Sequence, residues 1–223
     1  MTANLDKPRW AALFDWDGVI IDSKALHEAA WNQVALEFGY RHGPEDFRRH
    51  FGTQNQHAIR EILRWTADRA QIERISDFKE ELYRKQLGGA GSLLLPGVAG
   101  FLILLEQNGV PRAIVSSSPR ANIEAVLDGV GLRSTFSSIV TAEEMRRGKP
   151  DPEGFILGAQ RLGLPKERCV VFEDAPAGIE AGRRAGMRVV AFTTTHEAPA
   201  LQEAHLISDG FTPALVDTIE SWF

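Results

Sequence analysis

The stretch Ala11-Ala12-Leu13-Phe14-Asp15-Trp16-Asp17-Gly18 is a short apolar run that stops at two carboxylates one residue apart, followed by a glycine. Residues 11–14 read as a buried strand of a parallel sheet covered on both faces, because such strands are continuously apolar. Asp15 and Asp17 then sit where the strand runs out, and Gly18 loosens the backbone behind them. In open parallel sheets, chemistry collects beyond the carboxyl ends of the strands. Side chains at i and i+2 of an extended segment share a face, so both acids can aim at one point while Trp16 faces elsewhere. Two like charges so close repel unless a cation or a shared proton relieves them. The pair therefore asks for a metal and offers one nucleophile and one acid/base. On this segment alone, two loop acids beside a turn glycine would read the same way.

Working outward, four later segments resemble that first strand: 113–115, 138–140, 169–172 and 188–192. Helical patterns lie between them at 119–127, 152–162 and 177–185. Strands alternating with helices of this length predict βαβ units and an α/β fold with a doubly wound, Rossmann-like parallel sheet. Ser118-Pro119 reads as an N-cap followed by proline at the first helical position, and Asp151-Pro152 repeats the pattern. Asn108-Gly109 and Gly163 mark helix ends. Residues 23–94 differ, with helix-period stripes and no clear strand. Ala30, Val34 and Phe38 form one stripe, Ile59, Ile62 and Leu63 another, and Ile75, Phe78 and Leu82 a third. The stretch ends in Gly88-Gly89-Ala90-Gly91-Ser92, a composition suited to a hinge. The expected organisation is a catalytic core of residues 1–22 and 95–223 with an all-helical cap domain, 23–94, inserted after the first strand. Both of its ends attach near the two acids, as a lid requires.

The 223 residues suffice for one such core with its insert, and 43% hydrophobic with 25% charged residues is ordinary globular composition. A net charge of -5 argues against nucleic acid or an anionic membrane as partner. Arg48-Arg49-His50 and Arg146-Arg147 are short basic runs that read as solvated faces. Residues 1–10 hold no apolar stretch of the signal-peptide kind. The apolar run 98–105 is too short to span a bilayer and is interrupted by Gly100. The single cysteine, Cys169, excludes an internal disulfide and suits a reducing, cytoplasmic setting. It opens an apolar run and reads as a buried, inert thiol. No strong apolar stripe is left over for an interface, so a monomer is expected.

Each later strand end brings a polar group to the same sheet edge. Ser116, Ser117 and Ser118 follow residues 113–115, and a hydroxyl there, beside the amides opening a helix, is an anion site. Of the three, Ser118 reads as the helix cap and Ser116 as the ligand contact. Lys149 stands in Gly148-Lys149-Pro150-Asp151-Pro152, where prolines fix the backbone and the ammonium can act as a point charge on phosphate. Glu173 and Asp174 close the apolar run 169–172 with a second carboxylate pair, hard oxygen ligands of the kind Mg²⁺ takes. Singly, each has a plain structural explanation. Together, four strand ends deliver Asp/Asp, Ser, Lys and Glu/Asp in order.

That set resembles the four motifs of the haloacid dehalogenase superfamily, in the phosphatase and phosphomutase branch with a helical cap after the first strand. The matching residues are Phe14-Asp15-Trp16-Asp17-Gly18-Val19, Val115-Ser116-Ser117, Gly148-Lys149-Pro150-Asp151-Pro152 and Phe172-Glu173-Asp174-Ala175-Pro176-Ala177-Gly178-Ile179. The resemblance implies that Asp15 takes the phosphoryl group as an aspartyl-phosphate and that Asp17 is the acid/base, its backbone carbonyl also reaching the metal. It implies Ser116 and Lys149 as the phosphoryl grip, Asp174 as a direct Mg²⁺ ligand and Glu173 as one acting through water. An anionic nucleophile attacking a phosphate dianion needs such neutralisation. Halide-removing members lack an acid at the place of Asp17, which disfavours dehalogenation.

The stretch Ile21-Asp22-Ser23-Lys24-Ala25-Leu26-His27 resembles that of β-phosphoglucomutase and its sugar-phosphatase relatives, which places His27 at the cap hinge near the acid/base. Lys79 likewise resembles a cap lysine that reaches substrate, and Ser117 joins it as a substrate contact. One departure is informative. The mutase grips its second phosphate with a cap arginine, where Gly52-Thr53-Gln54-Asn55 places Asn55. A neutral amide cannot replace a bidentate guanidinium. The expected function is a Mg²⁺-dependent phosphatase acting on a small phosphorylated metabolite, a sugar or polyol phosphate. β-Phosphoglucomutase activity, with Arg48 or Arg49 supplying the missing grip, is one alternative; an idle binding protein on the same fold is the other.

Overall fold

The computed structural model describes residues 8–87 and 93–223. The glycine-rich segment expected to be a hinge, 88–92, lies outside these described residues, as do residues 1–7.

Six parallel strands are described: β1 (Ala11–Phe14), β2 (Arg112–Val115), β3 (Ser138–Val140), β4 (Cys169–Glu173), β5 (Arg188–Phe192) and β6 (Leu206–Ser208). Their order is β3-β2-β1-β4-β5-β6, the doubly wound Rossmann-like arrangement expected from the βαβ pattern. In register, Phe14 stands beside Ile114 on one side and Phe172 on the other. The strand order reverses next to β1, so the crevice at its carboxyl end is where ligands collect. β6 has no counterpart in the sequence reading. It is a three-residue edge strand, only half-buried, and shows no apolar run.

Between β1 and β2 the chain forms the inserted helical cap. It comprises α1 (Lys24–Phe38), α2 (Pro44–His50), the single turn α3 (Asn55–His57) running into a π-helical turn, Ala58–Ile62, and α4 (Arg69–Lys85). Ala30, Trp31, Val34, Phe47, Ile59, Ile75 and Tyr83 make a hydrophobic cluster of the cap's own. The core helices follow: α5 (Val98–Gln107), α6 (Arg120–Val130), α7 (Glu153–Leu162), α8 (Pro176–Arg184) and α9 (Pro213–Glu220). The strands' two-residue period sorts their side chains. Ala12, Phe14, Ile114 and Phe172 pack with α5, α6 and α9, while Leu13, Val115, Val171 and Val189 pack on the opposite face with α7 and α8. Burial of strands on both faces is the reason their sequences carry no polar alternation.

The connections leaving and re-entering the sheet are bonded to each other. Asp22 donates its amide to the Leu93 carbonyl at 2.8 Å, and Leu95 donates to Ile20 at 3.0 Å. They meet a few residues beyond Asp17, so the cap is attached beside the acid pair, as expected.

Two details of the helix starts differ in kind. At α7, Asp151 Oδ1 accepts the Glu153 amide at 3.1 Å, so the expected capping acid is in place while the helix itself begins one residue later than expected, at Glu153. At α6 the expected cap is absent: Pro119 is the N-cap, extended at ψ 147°, and the Ser118 side chain turns away from the helix. Cys169 is fully buried, and burial pushes its thiol up to about 12, the inert state expected of it. Among the described residues no helix is long and apolar enough to cross a membrane.

Candidate active site

The strand ends around β1 converge. Asp15 directly follows β1, and its amide donates to the Phe172 carbonyl at 2.9 Å, which ties it to β4. Its carboxylate is 4% exposed and receives Lys149 Nζ on Oδ1 at 2.7 Å. Lys149 reaches in from the loop before α7 and also donates to Glu173 Oε1 at 2.5 Å. Burial alone would lower the lysine; its two carboxylate neighbours outweigh that and hold it above its ordinary range. Burial pushes Asp15 up to about 7, with Lys149 opposing and Glu173 adding to the rise.

Glu173 ends β4, and its Oε2 accepts the amides of Asp174 at 3.0 Å and Ala175 at 3.2 Å. Asp174 is buried, and its Oδ2 has no hydrogen-bond partner among the described residues. Burial, then the Glu173 and Asp15 charges, raise this carboxyl well above the usual range. Asp15, Glu173 and Asp174 each offer an oxygen, all within 4.8 Å of one another. Three buried carboxylates around one lysine leave negative charge uncompensated, and one oxygen of Asp174 is without a partner among the described residues. Hard oxygens so arranged suit a small divalent cation. Glycines give the acids their room. A Cβ on Gly18, whose φ is +80°, would lie 2.0 Å from Asp174 Oδ2, and one on Gly178 would lie 1.8 Å from Glu173 Oε1. Thr194 and His196, on the loop after β5, bond the carbonyls of Gly18 and Asp174 and fix both acid loops.

Asp17 faces the cap side. Oδ1 accepts from Ser23 Oγ at 2.5 Å and from His27 Nε2 at 3.0 Å, and Oδ2 accepts from Ser118 Oγ at 2.6 Å. Burial would raise this carboxyl, but His27 and the two hydroxyls outweigh it and hold Asp17 below the ordinary carboxylate range. Ser118 is thus a ligand of the second acid rather than a helix cap. Ser116 Oγ accepts the Ser118 amide at 3.0 Å, and the buried Ser117 Oγ has no partner among the described residues.

His27 lies flat on Tyr83, with ring centroids 4.1 Å apart, and its Nδ1 is 2.9 Å from Lys79 Nζ. An ammonium only donates, so Nδ1 accepts and the ring carries its proton on Nε2, toward Asp17. Lys79 is itself paired with Glu80 Oε1 at 2.8 Å, and Asn55 donates to the same oxygen at 2.7 Å. A chamber of about 30 Å³ is lined by Asp15, Asp17, His27, Asn55, Lys79 and the three serines, among others. A wider cleft of about 700 Å³ shares Asn55, Glu80 and Ser117 with it.

The structure brings together Asp15, Asp17, Ser116, Ser117, Lys149, Glu173, Asp174, His27, Lys79 and Asn55. It does not bring Arg48 or Arg49. Both are exposed on α2, where Arg48 pairs with Glu45, and Arg49 with Asp46 at 3.9 Å. Neither lines the chamber, so neither supplies the missing grip. His50, read with them as a solvated face, is instead 2% exposed and lines the chamber. Burial, then His42 and Lys79, push its ring down to about 3. The helical period explains the split: positions 47 and 50 share the buried side of α2, while 48 and 49 turn outward. Sequence reasoning also missed Ser23 and Glu80, whose polar types in a helical segment resemble any solvated face.

The family model described as haloacid dehalogenase-like hydrolase matches residues 11–186, which span β1 to β4 and the whole helical insert. The protein is an enzyme of the hydrolase class. The chain belongs to the haloacid dehalogenase-like hydrolase family. It is 39% identical over 198 residues to 5-amino-6-(5-phospho-D-ribitylamino)uracil phosphatase of Arabidopsis thaliana, covering 88% of this chain but only 53% of that longer protein. It is 35% identical to hexitol phosphatase A of Escherichia coli, with 87% and 88% of the two chains covered. Among solved structures it is similar to β-phosphoglucomutase of Clostridium difficile, with a TM-score of 0.86, 25% identity and 95% and 96% coverage.

Proposed function

We propose that the protein is a Mg²⁺-dependent phosphatase that hydrolyses a small phosphorylated metabolite, a sugar or polyol phosphate, through an aspartyl-phosphate. The observation that carries this reading is the buried Asp15 carboxylate, bonded to Lys149 and opening with Asp17 and the serines onto one chamber. Asp15 attacks phosphorus while Asp17, held as the anion in the free enzyme, takes up a proton with the bound substrate and passes it to the departing alkoxide. Water then attacks the aspartyl-phosphate as the Asp17 anion takes a proton from it, releasing phosphate and freeing Asp15. Lys149 and Ser116 hold the phosphoryl oxygens, and Ser117 adds an unpartnered hydroxyl beside them. Asp15, Asp174, Glu173 and the Asp17 carbonyl would hold Mg²⁺, which supplies neutralisation of phosphate charge when bound. His27, Lys79, Ser117 and Asn55 line the chamber as the substrate contacts, and His27, held by Lys79, also keeps Asp17 oriented.

The cap is taken as residues 23–94 and the core as 1–22 with 95–223. Closing the one on the other excludes bulk water and polymers alike. The enzyme is taken to act as a cytoplasmic monomer, without nucleic acid or membrane. Hydrolysis is preferred over mutase chemistry because, among the described residues lining the chamber, Lys79 is already neutralised by Glu80 and Asn55 stands where a cation would grip a second phosphate. Similarity to named phosphatases supports the same choice. The test is phosphate release from a panel of phosphorylated metabolites with Mg²⁺, run beside conversion of β-glucose 1-phosphate to glucose 6-phosphate with a bisphosphate primer. Efficient isomerisation with little phosphate released would overturn the reading. An Asp15→Asn variant with undiminished function would favour the idle binding protein.

A further inference from the structure

One buried amide joins the sheet domain to the cap, and the reaction scheme leaves it unused. Asn122 lies on α6 and is fully buried. Its Nδ2 donates to Glu80 Oε2 at 2.5 Å, and its Oδ1 accepts from Arg84 Nη1 at 3.0 Å. Glu80 and Arg84 are i and i+4 on α4, one above the other, and meet the amide as a fork. A carboxylate only accepts and a guanidinium only donates, so the amide fits the fork one way round. From Glu80 the bonds run on without a gap. Oε1 takes Lys79 Nζ at 2.8 Å, Nζ reaches His27 Nδ1 at 2.9 Å, and His27 Nε2 meets Asp17 Oδ1 at 3.0 Å. The line starts in the core, crosses two cap helices and returns to the core just beyond β1.

We propose that Asn122 is a positioning residue that makes the aim of the Asp17 carboxylate conditional on the cap being seated against α6. The proposal rests on the reading of Asp17 as the acid/base. With the cap seated, Asn122 fixes one oxygen of Glu80, which leaves the other to hold Lys79. The ammonium then points a proton at His27 Nδ1, and the imidazole proton stays on Nε2, against Asp17. With the cap lifted the line parts at both of its crossings, Asn122 to Glu80 and His27 to Asp17, and Asp17 keeps the core hydroxyl donor Ser118 and, at the hinge, Ser23. The acid is thereby aligned only when the chamber is closed to bulk water.

The test compares leaving groups in the full-length Asn122→Ala enzyme. Sorbitol 6-phosphate releases an alkoxide that needs a proton; p-nitrophenyl phosphate releases a phenolate that does not. For the variant, the single-turnover rate with sorbitol 6-phosphate falls about ten- to a hundredfold, within the span of general acid catalysis. Its KM stays unchanged, and so does the single-turnover release of p-nitrophenolate. Arg84→Ala, which removes an exposed side chain, gives the same selective loss in milder form and carries the test if Asn122→Ala does not fold. Equal slowing of both substrates, or slowing of neither, in the folded variant overturns the proposal. Turnover surviving Asp15→Asn would instead remove the phosphatase reading beneath it, so the two failures are told apart.

Discussion

Lys149 Nζ and Asp15 Oδ1 are 2.7 Å apart, with neither residue more than 7% exposed. The same ammonium is 2.5 Å from Glu173, so one cation holds two buried acids apart. Lys149→Met removes it and leaves both carboxylates facing one another. Breaking a buried pair in this way costs about 3–5 kcal/mol. The variant is expected to unfold at markedly lower temperature than the parent in metal-free buffer at neutral pH, and to lose phosphate release. Thermal unfolding with and without Mg²⁺ reads the first; equal melting temperatures would show that the lysine does not separate the acids.

The acid cluster makes the metal-free protein sensitive to alkali. Burial raises Asp15 to about 7, and Asp174 is raised as well, so the folded state binds protons that the unfolded chain has already released. Stability is therefore full below the ordinary carboxylate range and falls as pH climbs from there to about 7. Asp17 runs the other way, its contribution being lost in stronger acid, and so does His50, whose ring is pushed down to about 3 and which favours the folded state more as pH rises to the ordinary imidazole range. The carboxylate effect is therefore read as the stability difference between the parent and its Asp15→Asn variant, from melting curves in chelator from pH 4 to 8, which should decline as pH rises. Mg²⁺ should flatten it and add about 2.7 kcal/mol at a concentration a hundredfold above its Kd. A difference that grows in the parent's favour over this range contradicts the assignment.

Gly178→Ala tests whether the acids need empty space. The new methyl would fall 1.8 Å from Glu173 Oε1, so Glu173 must leave its place beside Lys149. Alanine favours a helix by up to about 1 kcal/mol over glycine, which offsets only part of the cost of breaking the buried Glu173–Lys149 pair, so the melting temperature is expected to fall as well. Mg²⁺ affinity is expected to drop about ten- to a hundredfold, the usual effect of disturbing groups around a metal. Calorimetric titration measures it, and unchanged affinity in a folded variant refutes the spatial argument.

Ser118→Ala takes away the donor 2.6 Å from Asp17 Oδ2. A hydrogen bond to a charged group contributes about 1.5–3 kcal/mol, and about 1.4 kcal/mol is one pKa unit. The Asp17 anion loses support, so its proton is held more tightly and the alkaline limb of the kcat/KM profile, on which the proton donor is lost, should move up by about one unit. If Ser118 merely caps α6, the limb stays put and only stability falls.

The sheet and the acids on its edge were legible because β1 and β4 are buried on both faces and end abruptly in carboxylates, so hydrophobicity and charge change at one residue. β6 was not, since a half-buried edge strand carries no such contrast. Ser118 and His50 show the other limit. A serine before a proline and a histidine after two arginines each have a local explanation in the chain, and tertiary partners 101 and 8 residues away replace it. Glu80 failed for the same reason: buried ion pairs and solvated faces use the same residue types. Gly178 was legible only as a motif letter, because the clash it avoids lies across a turn.

The paired connections near Ile20–Leu95 and Asp22–Leu93 also set the mechanics of the lid. Two cords stitched side by side resist stretching and shear far better than torsion, so the soft freedom is a swing about their common line. That line passes a few residues from Asp17, close to the pivot, whereas Thr53 and Asn55 belong to the swinging cap and line the same chamber. A rotation therefore carries Thr53 and Asn55 away while Asp17 scarcely shifts. In the proposed reaction, product leaves with the parting of those cap residues, and Asp17 stays near the axle for the next substrate.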